Sequence, residues 1–197
     1  MYKFIIPLML LPLSGAVSAH EVVHTHSAFG TGFMHPIFGL DHVLAMVAVG
    51  LWGVFLSKPA TWMLPVLFPL MMAVGATIGI MGIALPQVET GIALSSVILG
   101  LMIAFKQRPP LPIAYLVVGF FALCHGNAHG THLPSTMAPL NFSLGFVTST
   151  GLLHLLGVGI ALVAQKYSRL IAIQALGAAI SLAGVGFVIT LIQRSMI

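Results

Sequence analysis

Six long apolar runs, separated by short breaks rich in proline and polar residues, dominate the chain. They cover roughly 36–57, 61–84, 88–105, 111–130, 140–164 and 170–192. Each is close to the ~20 residues a helix needs to cross a bilayer core. An uninterrupted apolar stretch of that length can satisfy its own backbone hydrogen bonds in lipid only as a helix. The breaks are Ser57-Lys58-Pro59, Pro86-Gln87, Lys106 to Pro110, Leu133 to Pro139 and Gln165 to Arg169. The pattern predicts an all-α membrane protein: a single six-helix transmembrane domain over 36–197, with no soluble domain.

A different apolar pattern precedes the first run. Lys3 is followed by ten apolar residues, Phe4 to Leu13, and then by the small residues Ser14-Gly15-Ala16-Val17-Ser18-Ala19. That order is the signature of a secretory signal peptide, residues 1–19, cleaved after Ala19. Residues 20–35 then form a short, histidine-rich periplasmic segment, and the mature N-terminus lies outside. With that start, the first, third and fifth breaks face the cytoplasm. They carry Lys58, Lys106, Arg108, Lys166 and Arg169, and only Arg194 falls on the other side. The positive-inside rule therefore gives the same topology from different residues, in the inner (plasma) membrane of a bacterium. Two halves of three spans each would run inverted relative to one another.

Composition strengthens this picture. Hydrophobic residues make up 59% of the chain and charged residues 5%, against about 25% charged in soluble domains, so most of the surface must face lipid. Seven scattered Lys and Arg form no basic patch, which excludes nucleic acid as a partner. Cys124 is the single cysteine, so no intrachain disulfide can form. The glycines Gly100, Gly119, Gly145, Gly151, Gly157, Gly159, Gly177, Gly184 and Gly186 suit close helix packing. A homo-oligomer is left open.

Nine histidines beside three acids are the unusual feature, because ionisable groups in an apolar span are costly and tend to be functional. The first motif is His35-Pro36-Ile37-Phe38-Gly39-Leu40-Asp41-His42. On a regular helix His35 and His42 share a face but lie about 10 Å apart, too far for one ion. Either the segment around Pro36 and Gly39 is not regular helix, or the two histidines serve successive sites. The second motif is Cys124-His125-Gly126-Asn127-Ala128-His129-Gly130-Thr131-His132. His125, His129 and His132 can line one helical face, and the four-residue spacing places two imidazoles on one divalent ion. Asn127 is positioned to orient a ligand from behind. Glu89 opens the third span on the outer side, as a ligand or as an acid favoured by the helix dipole. His154, deep in the fifth span, is a lower step on an ion path or a packed core histidine. His20, His24 and His26 form a candidate capture tail. His20-Glu21-Val22-Val23-His24 matches HExxH in letters, but that motif needs a structured helix, so a protease is rejected.

At these two motifs the sequence resembles the HupE/UreJ family of membrane proteins. His35, Pro36, Gly39, Asp41 and His42 match HPxxGxDH, and 124–132 is similar to FHGxAHGxE, with Cys124 for the Phe and His132 for the Glu. Pro86 to Ser95 resembles the family's third span, with Glu89 as its acid. The resemblance implies a nickel or cobalt permease, not an enzyme, with Ni2+ or Co2+ as substrate and His35, Asp41, His42, Glu89, His125 and His129 as ligands. His132 in place of a carboxylate adds a nitrogen ligand and brings copper or zinc into consideration. The alternatives are an intramembrane metalloenzyme of the di-iron hydroxylase type, a non-transporting metal-binding or delivery factor for hydrogenase or urease maturation, and a bis-histidine haem site.

Overall fold

The computed structural model describes residues 27–133 and 138–196. The expected signal peptide and His20, His24 and His26 lie outside the described residues. Seven helices follow one another: α1 (Ala28–Phe38), α2 (Leu40–Leu56), α3 (Lys58–Ile80), α4 (Val88–Ala104), α5 (Leu111–Thr131), α6 (Pro139–Lys166) and α7 (Leu170–Ser195). Among the described residues there is no strand. Four of them, α3, α5, α6 and α7, are long and apolar enough to cross a membrane. The bent pair α1 and α2 would make a fifth span. At 17 residues, α4 is about 25 Å long, the same length as α2.

The expected first span, 36–57, is the one the structure corrects. Helix begins earlier, at Ala28, where the Ser27 hydroxyl accepts a hydrogen bond from Gly30 N at 3.2 Å and caps the first turn. Pro36 has no N–H to return to the preceding turn, and Gly39 adopts extended backbone (φ −86°, ψ 104°) that stops α1. Gly39 O then accepts from Val43 N at 2.9 Å and starts α2, whose axis is turned by 80°. The other boundaries move by a few residues. The run at 61–84 is helical from Lys58 and ends at Ile80. It ends there because Gly82 takes φ +83° and Ile83 N bonds back to Ile78 O at 3.1 Å, the left-handed closure of a Schellman motif. Lys106 and Ser168, at φ 52° and 54°, close α4 and α6 in the same way, with Gln107 N and Arg169 N bonding back to Met102 O and Ala164 O.

Glycines decide which helices touch. A Cβ at Gly126 would lie 1.9 Å from Met72 O, and one at Gly79 would lie 2.7 Å from Asn127 O, so the backbones of α3 and α5 are in direct contact and run in the same direction. The α1–α2 arm packs along α6, also in parallel, through Gly32 against Phe142, Gly145 against Phe29, and Gly50 against His154 and Val158. By contrast, α4 and α7 pack antiparallel, Gly100 against Ser181 and Gly184 against Val97. Taking the arm as one unit, the pairs are first with fifth, second with fourth and third with sixth. Exchanging the first three of these units with the last three leaves this set of pairs unchanged.

Two hydrogen bonds gather one end of the bundle. Trp52 Nε1 donates to Gln107 O at 3.0 Å, and Gln174 Nε2 donates to Ala104 O at 2.9 Å. They bring the α2–α3, α4–α5 and α6–α7 junctions together, and with them Lys58, Lys106, Arg108, Lys166 and Arg169. The histidine motifs lie at the opposite end.

Candidate metal centre

The break at Gly39 removes the 10 Å problem. With the helix turned there, His35 from α1 and His42 from α2 face each other with ring centroids 6.0 Å apart, and His129 from α5 lies 4.6 Å from His35 and 4.8 Å from His42. One ligand nitrogen from each of the three lies within 4.8 Å of the others, close enough to share one metal ion. The need at position 39 is for space. Its φ of −86° is open to any residue, but a Cβ there would sit 2.9 Å from His42 Nδ1 and 3.1 Å from Asp41 Oδ1.

Asp41 stands behind His42. One oxygen, Oδ1, accepts from the His42 backbone N–H at 2.9 Å and from its Nδ1–H at 2.8 Å. A carboxylate can only accept, so the proton is held on Nδ1 and the Nε2 lone pair points the other way. This is the carboxylate–histidine pairing that fixes tautomer and orientation in metal sites. Nε2 meets His129 Nε2 at 2.7 Å. Two nitrogens on one ion with bonds of about 2.0–2.1 Å and tetrahedral angles are about 3.3 Å apart. Accepting an ion thus means exchanging one shared proton for a metal and opening the pair by a few tenths of an ångström.

Apolar and aromatic groups enclose the cluster. Phe146 packs on His129 at 4.6 Å and on His35 at 5.9 Å, with Phe142 at 6.1 Å from His35. A small cleft of about 40 Å³ opens beside His129 between α3, α5 and α6, lined also by Met72, Ala76 and Gly126. His42 is buried, His129 half-buried and His35 exposed, so His35 is the most accessible of the three. Nothing in the sequence marked Phe142 or Phe146, since isolated aromatics in an apolar run carry no signal of their own.

The remaining expected residues are placed as follows. His125, one turn below His129 on α5, is fully buried, 5.1 Å from the His42 ring, with Nδ1 on Phe121 O at 2.8 Å and Nε2 without a protein partner. Glu89, in the first turn of α4, is exposed and outside the three-histidine group. His132 caps the end of α5 and is exposed. Asn127 does not reach a histidine. Its Oδ1 accepts from Leu85 N at 2.9 Å and its Nδ2 donates to Ile83 O at 2.8 Å, so it clamps the α3–α4 connection onto α5. His154 is fully buried on α6, and neither ring nitrogen has a protein hydrogen-bond partner. Such unpaired buried atoms cost about 1–3 kcal/mol each.

The chain is 41% identical over 187 residues to "Protein HupE" of Rhizobium leguminosarum bv. viciae, covering 95% of this chain and 97% of that protein. No solved structure matches it. The sequence model described as HupE / UreJ protein matches residues 8–187. With both motifs inside that match and their histidines meeting in space, the chain belongs to the HupE/UreJ family.

Proposed function

We propose that this protein is a permease that takes up a divalent transition-metal ion, Ni2+ or Co2+, across the bacterial inner membrane. The observation that carries the reading is the three-histidine cluster, with His42 set by Asp41, at the end of the bundle opposite the five basic residues. The imidazole set suits borderline divalent ions and not Mg2+ or Ca2+. The nickel or cobalt preference comes from what the family resemblance implies. In this reading α1 and α2 form a broken first span and α4 a short third one, giving six crossings after a cleaved signal peptide. The parallel and antiparallel helix pairs support that topology. The basic end faces the cytoplasm, and His20, His24 and His26 collect the ion outside. Broken spans lining an ion site are a recurring transporter device.

The driving force needs no nucleotide. A potential of 100 mV, inside negative, is worth about 4.6 kcal/mol for a doubly charged ion. At about 1.4 kcal/mol per tenfold, that supports accumulation above about a thousandfold. Asp41 would offset part of the ion's charge through His42. The deciding experiment is uptake of radioactive Ni2+ and Co2+ into proteoliposomes under an imposed potential. We expect potential-dependent uptake that is lost in His42→Ala and His129→Ala. Uptake equal to that of empty liposomes, for every divalent metal tried, would sink the reading.

A further inference from the structure

Four buried side-chain atoms among the described residues have no hydrogen-bond partner: His125 Nε2, Thr150 Oγ1, and both ring nitrogens of His154. They are not scattered. Phe146, which packs on the outer cluster, is followed on the same face of α6 by Thr150 one turn deeper and His154 two turns deeper. Eight residues of helix place His154 about 12 Å below the cluster. An independent helix gives the same depth. His154 packs against Gly50 of α2, eight residues beyond His42 and so about 12 Å along that helix. His125 lies halfway, one turn below His129 and about 6 Å down. Its ring and that of His154 both meet the Phe68 ring edge-on, with centroids 5.5 and 5.1 Å away. On α3 the Pro65 carbonyl is free of the helix ladder because Pro69, four residues on, has no N–H to donate.

We propose that His154 and Thr150, reached through His125, form a second, inner binding station for a divalent transition-metal ion, about two helical turns below the outer cluster. His154 supplies an imidazole nitrogen and Thr150 a hydroxyl oxygen. His125 Nε2 is the step between the stations, its other nitrogen being committed to Phe121 O. The donor set is nitrogen with neutral oxygen, which selects borderline transition ions over Mg2+ or Ca2+. Multiple weak stations are also what ion conduction requires, so that an ion can leave as well as enter. The direction of travel rests on the permease reading, but occupancy of the inner station does not.

The test is a Co2+ titration of the purified full-length protein, followed by visible d–d absorption and equilibrium dialysis, for wild type, His154→Gln and Thr150→Val. Potential-driven Co2+ uptake is measured in parallel. We expect wild type to bind a second equivalent beyond the first. In His154→Gln that equivalent should disappear while the outer-cluster absorption stays, and uptake should fall at least about tenfold. Thr150→Val, close in shape, should weaken the second equivalent without removing it, and it serves as the readout if His154→Gln does not fold. A single equivalent in wild type, or a second one unchanged in these variants, overturns the station and means that water alone meets these atoms. A second equivalent that depends on His154, without uptake by wild type, supports the station and refutes the permease reading. Wild-type uptake with one equivalent throughout does the reverse.

Discussion

Asp41→Asn isolates the role of the residue that sets the metal centre. The change keeps shape and removes the charge. In the native chain one oxygen takes both the His42 backbone N–H and the Nδ1–H, at 2.9 and 2.8 Å. An amide can accept at one end or donate at the other, so the His42 tautomer is no longer dictated and Nε2 is free for the ion only part of the time. Losing such a supporting carboxylate typically costs 10- to 100-fold in metal affinity, or about 1.4–2.7 kcal/mol. Charge adds to this. The path from Oδ1 across the ring to an ion on Nε2 is about 7 Å, and at an effective dielectric of 20 a carboxylate and a divalent ion at that distance attract by about 4–5 kcal/mol. That sets an upper bound. The expected outcome is a loss of Co2+ or Ni2+ affinity of between tenfold and about a thousandfold, read by calorimetric titration of the purified protein. Asp41→Glu should not rescue it, because the longer side chain pushes the His42 ring away from His129. Affinity within about twofold of wild type in Asp41→Asn would refute the claim that this carboxylate orients His42.

Three further predictions follow from the same geometry. Gly39→Ala should leave the protein folded, since its backbone angles suit alanine. Its Cβ would displace the Asp41–His42 pair, and metal affinity should drop at least about tenfold with an unchanged thermal transition. Gly126→Val should instead destabilise the fold by about 1–3 kcal/mol or more, seen as a lower thermal midpoint in detergent, because even its Cβ meets Met72 O at 1.9 Å. Metal affinity should fall as the pH is lowered. A protonated imidazole has no lone pair to give, so acid competes with the metal. The fall is measurable by metal titration at fixed salt over a series of pH values.

Symmetry gives the bundle its logic. The arm with α6 and α3 with α5 are the parallel pairs, and α4 with α7 is the antiparallel one. The outer cluster draws on the first and fourth of the six spans in the proposed numbering, through His35 and His42 on the broken first span and His129 on the fourth. His154 on α6 lies on the fifth and faces Phe68 of α3 on the second. The line of histidines thus runs along the contact between the two halves, which is where transporters built from inverted repeats bind their substrates.

The apolar runs and their breaks determined the helical class, the approximate positions of α2 to α7 and the clustering of positive charge at one end, because burial in lipid and helix length leave little freedom. The two histidine motifs were also legible, since an imidazole in an apolar span is conspicuous by its cost. Periodicity alone could not decide between one site and two at His35 and His42. The answer lies in the 80° turn at Gly39, with α1 and α2 each seated on α6 through Gly32, Gly145 and Gly50. The roles of Asn127 and Phe146 were likewise invisible, because both depend on which helix arrives opposite, and that choice is made by glycine contacts spread over the whole bundle. The sequence determined which residues can bind a metal; only the tertiary structure decided which of them meet.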